Sequence, residues 1–299
     1  MNTMWSDFVQ SSEELYASRS LRFREDNKDL WLSAMQLIDG MDVLEIGCGG
    51  GLFCHRIKQF LPGCSVTGLD RDSGHIEYAR RKSAELGLDC AFVAGDALAL
   101  PFPSNSFDAC TSHTVVEHVE TTGFLREQYR VLKPGGVISV LSVRTRLNVA
   151  PENWKPEDPE ERALLEKAWA PSTELDKKME IGRYEMMESN FPMALDATGF
   201  TGVNVNFISV VSYAPDNATT SPELALAQVN ENRLSALWSL KKALRRSPGV
   251  LSIAEQDRLK NLINMRFDER IRQYEKGQKV WDIATSTVMA VTGVKPDRE

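Results

Sequence analysis

The sequence predicts an α/β protein built on a doubly wound, mostly parallel β-sheet, and three observations support this prediction. Between residues 43 and 143, apolar segments of strand length alternate with amphipathic segments of helix length. A cluster of glycines follows the first apolar segment, and a Pro-Gly-Gly turn precedes the fifth. Strands that alternate with helices in this way form parallel sheets, because each helix carries the chain back to the same edge.

The first strand runs into the segment Val43–Gly51, which reads VLEIGCGGG and is followed by an amphipathic helix. Glycines allow positive φ and a close approach of the backbone to a ligand. The N–H groups at the start of the helix are also available to that ligand. A nucleotide-like cofactor is therefore expected. The dinucleotide fingerprint G-x-G-x-x-G is incomplete, since Leu52 stands three positions after Gly49.

The second strand, residues 65–69, ends in Asp70, about 20 residues after the glycines, where a nucleoside fold needs a carboxylate for the ribose hydroxyls. Asp72 is better placed as the cap of the next helix. The other elements predicted up to residue 143 are a helix over 73–86, strands over 90–94 and 109–112, a helix over 122–133, and a strand over 137–143.

Composition limits the classes of function. The chain has 299 residues, of which 42% are hydrophobic and 26% charged, and these values suit one α/β domain with additions. The formal net charge of −7 argues against nucleic acid or an anionic membrane as the main partner. The five scattered cysteines indicate reduced thiols. No signal pattern or bilayer-length apolar run is present, so a cytoplasmic enzyme with no membrane association is expected.

Several motifs occur together in one order: E-x-G-x-G-x-G from Glu45 to Gly51, then Asp70, Gly95-Asp96, and finally RVLKPGG over residues 130–136. This order resembles that of class I S-adenosylmethionine (SAM) dependent methyltransferases, within which the ubiquinone/menaquinone-type small-molecule branch is most similar. The resemblance covers roughly residues 40–143. It implies SAM as cofactor and S-adenosylhomocysteine as product.

The resemblance also implies which residues bind the cofactor. Glu45 suits the ammonium group of SAM, whereas it would repel a pyrophosphate. Asp96 and the backbone N–H of Ala97 would bind the adenine, and Tyr16 or Arg19 could reach the SAM carboxylate. The full implied set is Glu45, Gly47, Cys48, Gly49, Gly51, Asp70, Arg71, Asp96, Ala97, Ser112 and His113.

By analogy with the family, the sheet has seven strands, with the sixth over 203–211 and the seventh over 283–291. Residues 1–39 would form an N-terminal helical cap, and residues 40–213 the SAM-binding core. Residues 144–190 would form a lid within that core. Residues 214–280 would be a helical insertion before the last strand, and residues 281–299 would complete the core.

Ligands of doubly wound sheets bind beyond the carboxyl ends of the strands, which places the segment Ser112–His118 at the active face. His113 and His118 are the candidate catalytic residues, as base or substrate contact. Structural packing of the Glu117-His118 pair is the alternative. Some ubiquinone-type enzymes have a metal-binding E-x-x-E-H cluster here, but Thr114 stands at the first Glu, so no metal is expected.

The expected function is transfer of a methyl group from SAM to O, N or C of a small-molecule acceptor by direct displacement. Nucleic acid is an improbable substrate, because the N/D-P-P-Y/F motif of base-modifying enzymes is missing after the fourth strand. Two alternatives stay open: a protein or peptide methyltransferase, and a non-catalytic SAM-binding partner subunit. The long helical insertion makes a homodimer plausible.

Overall fold

A computed structural model describes residues 5–8, 10–150, 158–169 and 182–297. A seven-stranded sheet with the order β3-β2-β1-β4-β5-β7-β6 forms its centre. The strands are β1 Asp42–Ile46, β2 Ser65–Asp70, β3 Cys90–Ala94, β4 Phe107–His113, β5 Leu132–Val143, β6 Thr201–Tyr213 and β7 Ala284–Val294. The first five strands pair in parallel, and β7 lies antiparallel between β5 and β6. The predicted fold class is confirmed.

Helices cover both faces of the sheet and extend beyond it. In the described part of the chain they are α1 Trp5–Phe8, α2 Ser12–Ser20, α3 Lys28–Met35, α4 Leu52–Phe60, α5 Ser73–Leu86, α6 Thr121–Val131, α7 Pro159–Ala168, α8 Asn190–Thr198, α9 Pro222–Arg246 and α10 Ile253–Glu275. None of these helices is long and apolar enough to span a bilayer.

Strand β1 shows why the core has two halves. Successive side chains of a strand point to opposite faces. Val43 packs with residues of α3, α4 and α5 on one face. Leu44 and Ile46 pack with residues of α6 and α8 on the other. Burial on both faces accounts for the continuous apolar sequence of this strand, which is typical of parallel sheets.

The largest difference from the predicted boundaries lies between α6 and β5. Helix α6 ends at Val131 and β5 begins at Leu132, whereas a helix to Lys133 and a strand from Val137 were expected. Pro134 disfavours a helical conformation of the residue before it, so the helix ends early. Leu132 has extended dihedral angles, is fully buried, and pairs with Phe107.

Helices α9 and α10 lie between β6 and β7, where the helical insertion was expected. They pack with α7 around a third apolar cluster that includes Val229, Leu240, Leu259 and Ile263. Helix α7 belongs to the described part of the expected lid. The lid's residues 151–157 and 170–181 lie outside the described residues.

A buried ion-pair network joins both ends of this insertion. The Arg270 guanidinium on α10 donates to Asp282 just before β7, at 2.7 and 2.9 Å, and to Asp216 just after β6, at 2.8 Å. Tyr213 donates its hydroxyl to Asp282 at 2.8 Å. The Arg270 side chain is 9% exposed and both carboxylates are 4% exposed. The network therefore fixes where the insertion leaves and rejoins the sheet.

Replacing Arg270 by Ala should destabilise the fold by about 3–5 kcal/mol, because two buried carboxylates lose their counter-charge. Urea denaturation followed by circular dichroism measures this change. Arg258→Ala on the same helix is the matched control, since Arg258 pairs with Glu160 at the exposed surface. The control should stay close to wild type. Equal effects of the two substitutions would contradict the role assigned to the network.

Candidate functional site

A cavity of about 380 Å³ opens at the carboxyl ends of β1, β2, β3 and β4. This is the edge at which doubly wound sheets bind their ligands. The volume falls within the range of about 300–1,000 Å³ that is usual for small-molecule and cofactor sites. The N-terminal helices α1 and α2 cover the cavity through Trp5, Leu15 and Arg19.

The glycine loop after β1 forms one wall. Gly47 and Gly49 line the cavity with φ values of +72° and +53°. A Cβ at Gly47 would lie 2.3 Å from Val115, and a Cβ at Gly49 would lie 2.2 Å from Leu15. Gly51 lies behind the wall, because it is the N-terminal cap of α4 and faces Ala79 and Phe92. The loop therefore accepts only glycine at these two wall positions without displacing neighbouring side chains.

The Asp70 carboxylate stands at the end of β2 and lines the cavity. One oxygen accepts a hydrogen bond from the Gly49 N–H at 2.8 Å, and the other accepts from the Asp72 N–H at 2.9 Å. An ionised carboxylate has about four acceptor positions, so two remain for a ligand. Asp72 caps α5 by accepting from the Gly74 and His75 N–H groups, as the sequence predicted.

The turn after β3 and the residue after Asp70 form the opposite wall. Asp96, Ala97 and Arg71 all line the cavity. One Asp96 oxygen accepts from the Leu98 N–H at 2.9 Å, which holds the turn in place. The Arg71 guanidinium lies 5.3 Å from the centre of the Trp5 ring. This contact ties helix α1 to the cavity.

Three residues of the expected cofactor set have their side chains behind the wall. Glu45 is buried in β1 and accepts hydrogen bonds from the Cys54 N–H and thiol, both at 2.9 Å. Burial raises the pKa of Glu45 to about 7, although Cys54 and Arg19 act against this change. Cys48 and Ser112 are also buried and do not line the cavity. These side chains support the wall and do not form it.

Arg19 of α2 lies over the cavity and donates to the Thr114 hydroxyl at 2.8 Å. Burial lowers the pKa of Arg19, and the negative charges of Glu45 and Asp70 oppose that change. Tyr16, the alternative contact for the SAM carboxylate, instead lies 3.3 Å from His55 Nδ1 and does not line the cavity. Of the two candidates for the SAM carboxylate, Arg19 is thus the one that this structure places at the cavity.

His113, the last residue of β4, is 2% exposed and lines the cavity. Neither ring nitrogen has a hydrogen-bond partner among the described residues. Burial and the charges of Arg19 and Arg22 keep the pKa of His113 well below its ordinary value. The imidazole is therefore neutral at neutral pH, with unused hydrogen-bonding capacity next to the cavity.

His118 also lines the cavity, where the Trp5 ring lies 5.1 Å from its own. Its Nδ1 accepts a hydrogen bond from the Gly182 N–H at 3.0 Å. The adjacent Glu117 is turned toward Ser142, which donates its hydroxyl to the carboxylate. Within the described ranges, no three His, Cys, Asp or Glu side chains converge as metal ligands would.

Several wall residues have no motif in the sequence that marks them. Gln10, Leu15, His75 and Tyr184 line the cavity and come from separate segments of the chain. The Tyr184 N–H donates to the Glu117 carbonyl, which brings the lid segment to the site. Glycines 47 and 49 could have indicated that bulky side chains lie against them, but not which ones.

Part of this chain is similar in sequence to known proteins. The family described as "Methyltransferase domain" matches residues 44–140. A sterol 24-C-methyltransferase of Gibberella zeae is 42% identical over 105 residues, which are 34% of this chain and 27% of the relative. A ubiquinone biosynthesis O-methyltransferase of Brucella anthropi is 35% identical over 116 residues, 38% of this chain and 46% of the relative.

A fatty-acid O-methyltransferase of Mycolicibacterium smegmatis is 39% identical over 38% of this chain and 40% of its own length. The chain thus spans less than half of each of these relatives.

Among solved structures, phosphoethanolamine N-methyltransferase 2 of Haemonchus contortus in complex with SAM has a TM-score of 0.53 and 16% identity, covering 99% of this chain and 60% of that one. This likeness concerns the fold. The segment that matches the methyltransferase domain family, residues 44–140, contains the glycine loop and Asp70.

Proposed function

We propose that the whole protein is a SAM-dependent methyltransferase that acts on a small molecule. The observation that carries the proposal is the cavity in which the Asp70 carboxylate stands against the Gly47–Gly49 loop. When bound, SAM supplies an electrophilic methyl group, and S-adenosylhomocysteine is the product. The relatives named above have sterol, ubiquinone-pathway and fatty-acid names, which favours a small-molecule acceptor over a protein.

The wall residues suit the parts of this cofactor. The two acceptor positions left on Asp70 match a pair of vicinal ribose hydroxyls. The second Asp96 oxygen and the Ala97 N–H would bind the adenine, since both residues line the cavity, and Arg19 offers a cation for the carboxylate. Glu45 would act from behind the loop, through its charge and through its hold on the start of α4. Cys48, Gly51 and Ser112 would act by supporting the same wall.

On the acceptor side, the protein mainly has to align the nucleophile with the methyl group and exclude water. His113 is proposed to contact the acceptor as a neutral imidazole, since both of its nitrogens lack partners in the described structure. A low pKa makes it a weak base, so orientation would outweigh proton removal. His118 is proposed as a positioning residue, because Trp5 and Gly182 already contact its ring. Cytoplasmic location and a homodimer remain predictions.

Replacing Asp70 by Ala should weaken SAM binding about ten- to a hundredfold, because two hydroxyls lose a charged acceptor. The Gly49 N–H loses its partner as well. Isothermal titration calorimetry with SAM and S-adenosylhomocysteine measures the change. Asp89→Ala is the control, since Asp89 is exposed and directly precedes β3, at the end of that strand opposite the cavity. Unaltered affinity in the Asp70 variant would refute the ribose assignment.

Replacing Gly47 by Ala should abolish measurable SAM binding at micromolar ligand, because the new methyl group would lie 2.3 Å from Val115 and force the wall to move. Gly87→Ala tests backbone strain alone: its φ is +64°, but no atom lies within 4 Å of the new Cβ. That control should lose about 1–2 kcal/mol of stability and keep full affinity. The two variants are compared by thermal shift and calorimetry. Equal affinities would show that the loop does not contact the ligand.

Protonation of His113 should not lower the methyl-transfer rate near pH 6.5. Its pKa lies well below this value, so the ring stays deprotonated as the pH falls from 8 to 6. Rate–pH profiles of wild type and His113→Asn test this expectation. The variant should have a lower rate and a profile of the same shape between pH 6 and 8. A limb near 6.5 present only in wild type would contradict the assignment.

A further inference from the structure

A second cavity, of about 250 Å³, opens at the same edge of the sheet as the first. It lies beside the end of β6 and the start of β7, between helix α2 and helix α9 of the insertion. Gln10 lines both cavities. On the basis of the proposed function, we infer that this second cavity binds the methyl acceptor, and that the acceptor is a small organic acid whose carboxylate pairs with Arg22.

Arg22 is the first observation. It follows helix α2 and lines the second cavity, and its guanidinium makes no hydrogen bond or ion pair to any residue in the described ranges. Burial and the neighbouring charge of Arg19 lower the pKa of Arg22 to about 10, so the group stays protonated at neutral pH. A half-buried cation without a counter-ion is unfavourable, and an anionic ligand would relieve this cost.

Two further donors independently point to an anion. Ser286 of β7 is 4% exposed and lines the cavity, and its buried hydroxyl lacks a partner in the described part of the chain. Asn148 lines the same space and uses its carbonyl oxygen to accept from the Thr287 N–H at 2.7 Å. Its amide group also carries two N–H donors. Arg22, Ser286 and Asn148 together offer an anion a charge and several hydrogen bonds.

The rest of the lining sets the polarity of the ligand. Glu14 of α2 and Glu231 of α9 line the cavity, and burial raises the pKa of both carboxyl groups. These acids would repel an anion near them, so the carboxylate must bind at the Arg22 side. Trp238 adds an aromatic surface for an apolar body. The cavity therefore favours an amphipathic acid bound in a single orientation.

The position of Arg22 connects this cavity to the reaction. Arg22 acts electrostatically on His113, which lines the cofactor cavity at the end of β4. Arg19 acts on the same ring and lines the cofactor cavity itself. Phe23, the next residue in the chain, has its ring centre 5.4 Å from that of His113, so a carboxylate on Arg22 would lie on the His113 side of the second cavity. Recognition of the acid would in this way orient the acceptor.

The test uses the full-length protein saturated with S-adenosylhomocysteine and titrated with benzoate, cinnamate and octanoate, each paired with its primary amide. Acids should bind at least about tenfold more tightly than amides, and Arg22→Gln should remove about ten- to a hundredfold of that affinity. Arg24→Gln is the matched control, because Arg24 lies two residues away and pairs with Asp26. Affinity for S-adenosylhomocysteine should be unchanged in both variants.

The outcomes separate the two proposals. Failure of wild type to bind S-adenosylhomocysteine would refute the proposed function. Normal S-adenosylhomocysteine binding with equal affinity for acids and amides, or with acid binding unaffected by Arg22→Gln, would overturn this inference alone. If no acid binds at concentrations up to 10 mM, which corresponds to a binding free energy of about 3 kcal/mol, the inference is also overturned. Ser286→Ala should give a smaller loss for acids, which separates the hydrogen bond from the charge.

Discussion

The arrangement of the site depends on the two hydrogen bonds that the Asp70 carboxylate accepts from the backbone. It stands at the end of β2 and holds the glycine loop through Gly49, and it holds the chain at the start of α5 through Asp72. Asp72 in turn accepts from the Ser6 N–H and hydroxyl, at 2.8 and 3.0 Å. The carboxylates of Asp70 and Asp72 thus link a strand end, the glycine loop, a helix start and the N-terminal cover. The bonds to Asp72 join segments that are 66 positions apart in the sequence.

The features that the sequence predicted well depend on local order. Apolar strands alternating with helices from β1 to β5 required the parallel sheet, because crossovers of one hand leave few other topologies. Gly47, Gly49 and Asp70 could be assigned to the cavity because each lies directly at the carboxyl end of a strand. The position of His113 followed from the same rule. In these cases, the position of a residue relative to the end of its strand determines its position in the fold.

Other features depend on contacts that no periodic pattern encodes. Glu45 lies on the correct strand, but its carboxylate turns back to Cys54, and this depends on how α4 packs against β1. Leu15 and Val115 meet the glycine loop from two separate segments. The second cavity joins α2, α9 and the β6–β7 end, and its members are far apart in the chain. The directions of these side chains and their long-range packing could therefore not be predicted from the order of residues in the sequence.

The network around Arg270 also has a kinetic meaning. Strands β6 and β7 form a hairpin by pairing, yet the contact between Ser212 and Ala284 spans 72 positions. Closing so long a loop costs entropy before any strand pairing can compensate it. Pairing of Arg270 with both Asp216 and Asp282 would shorten the loop that has to be closed, so we expect β6 and β7 to pair more slowly without it.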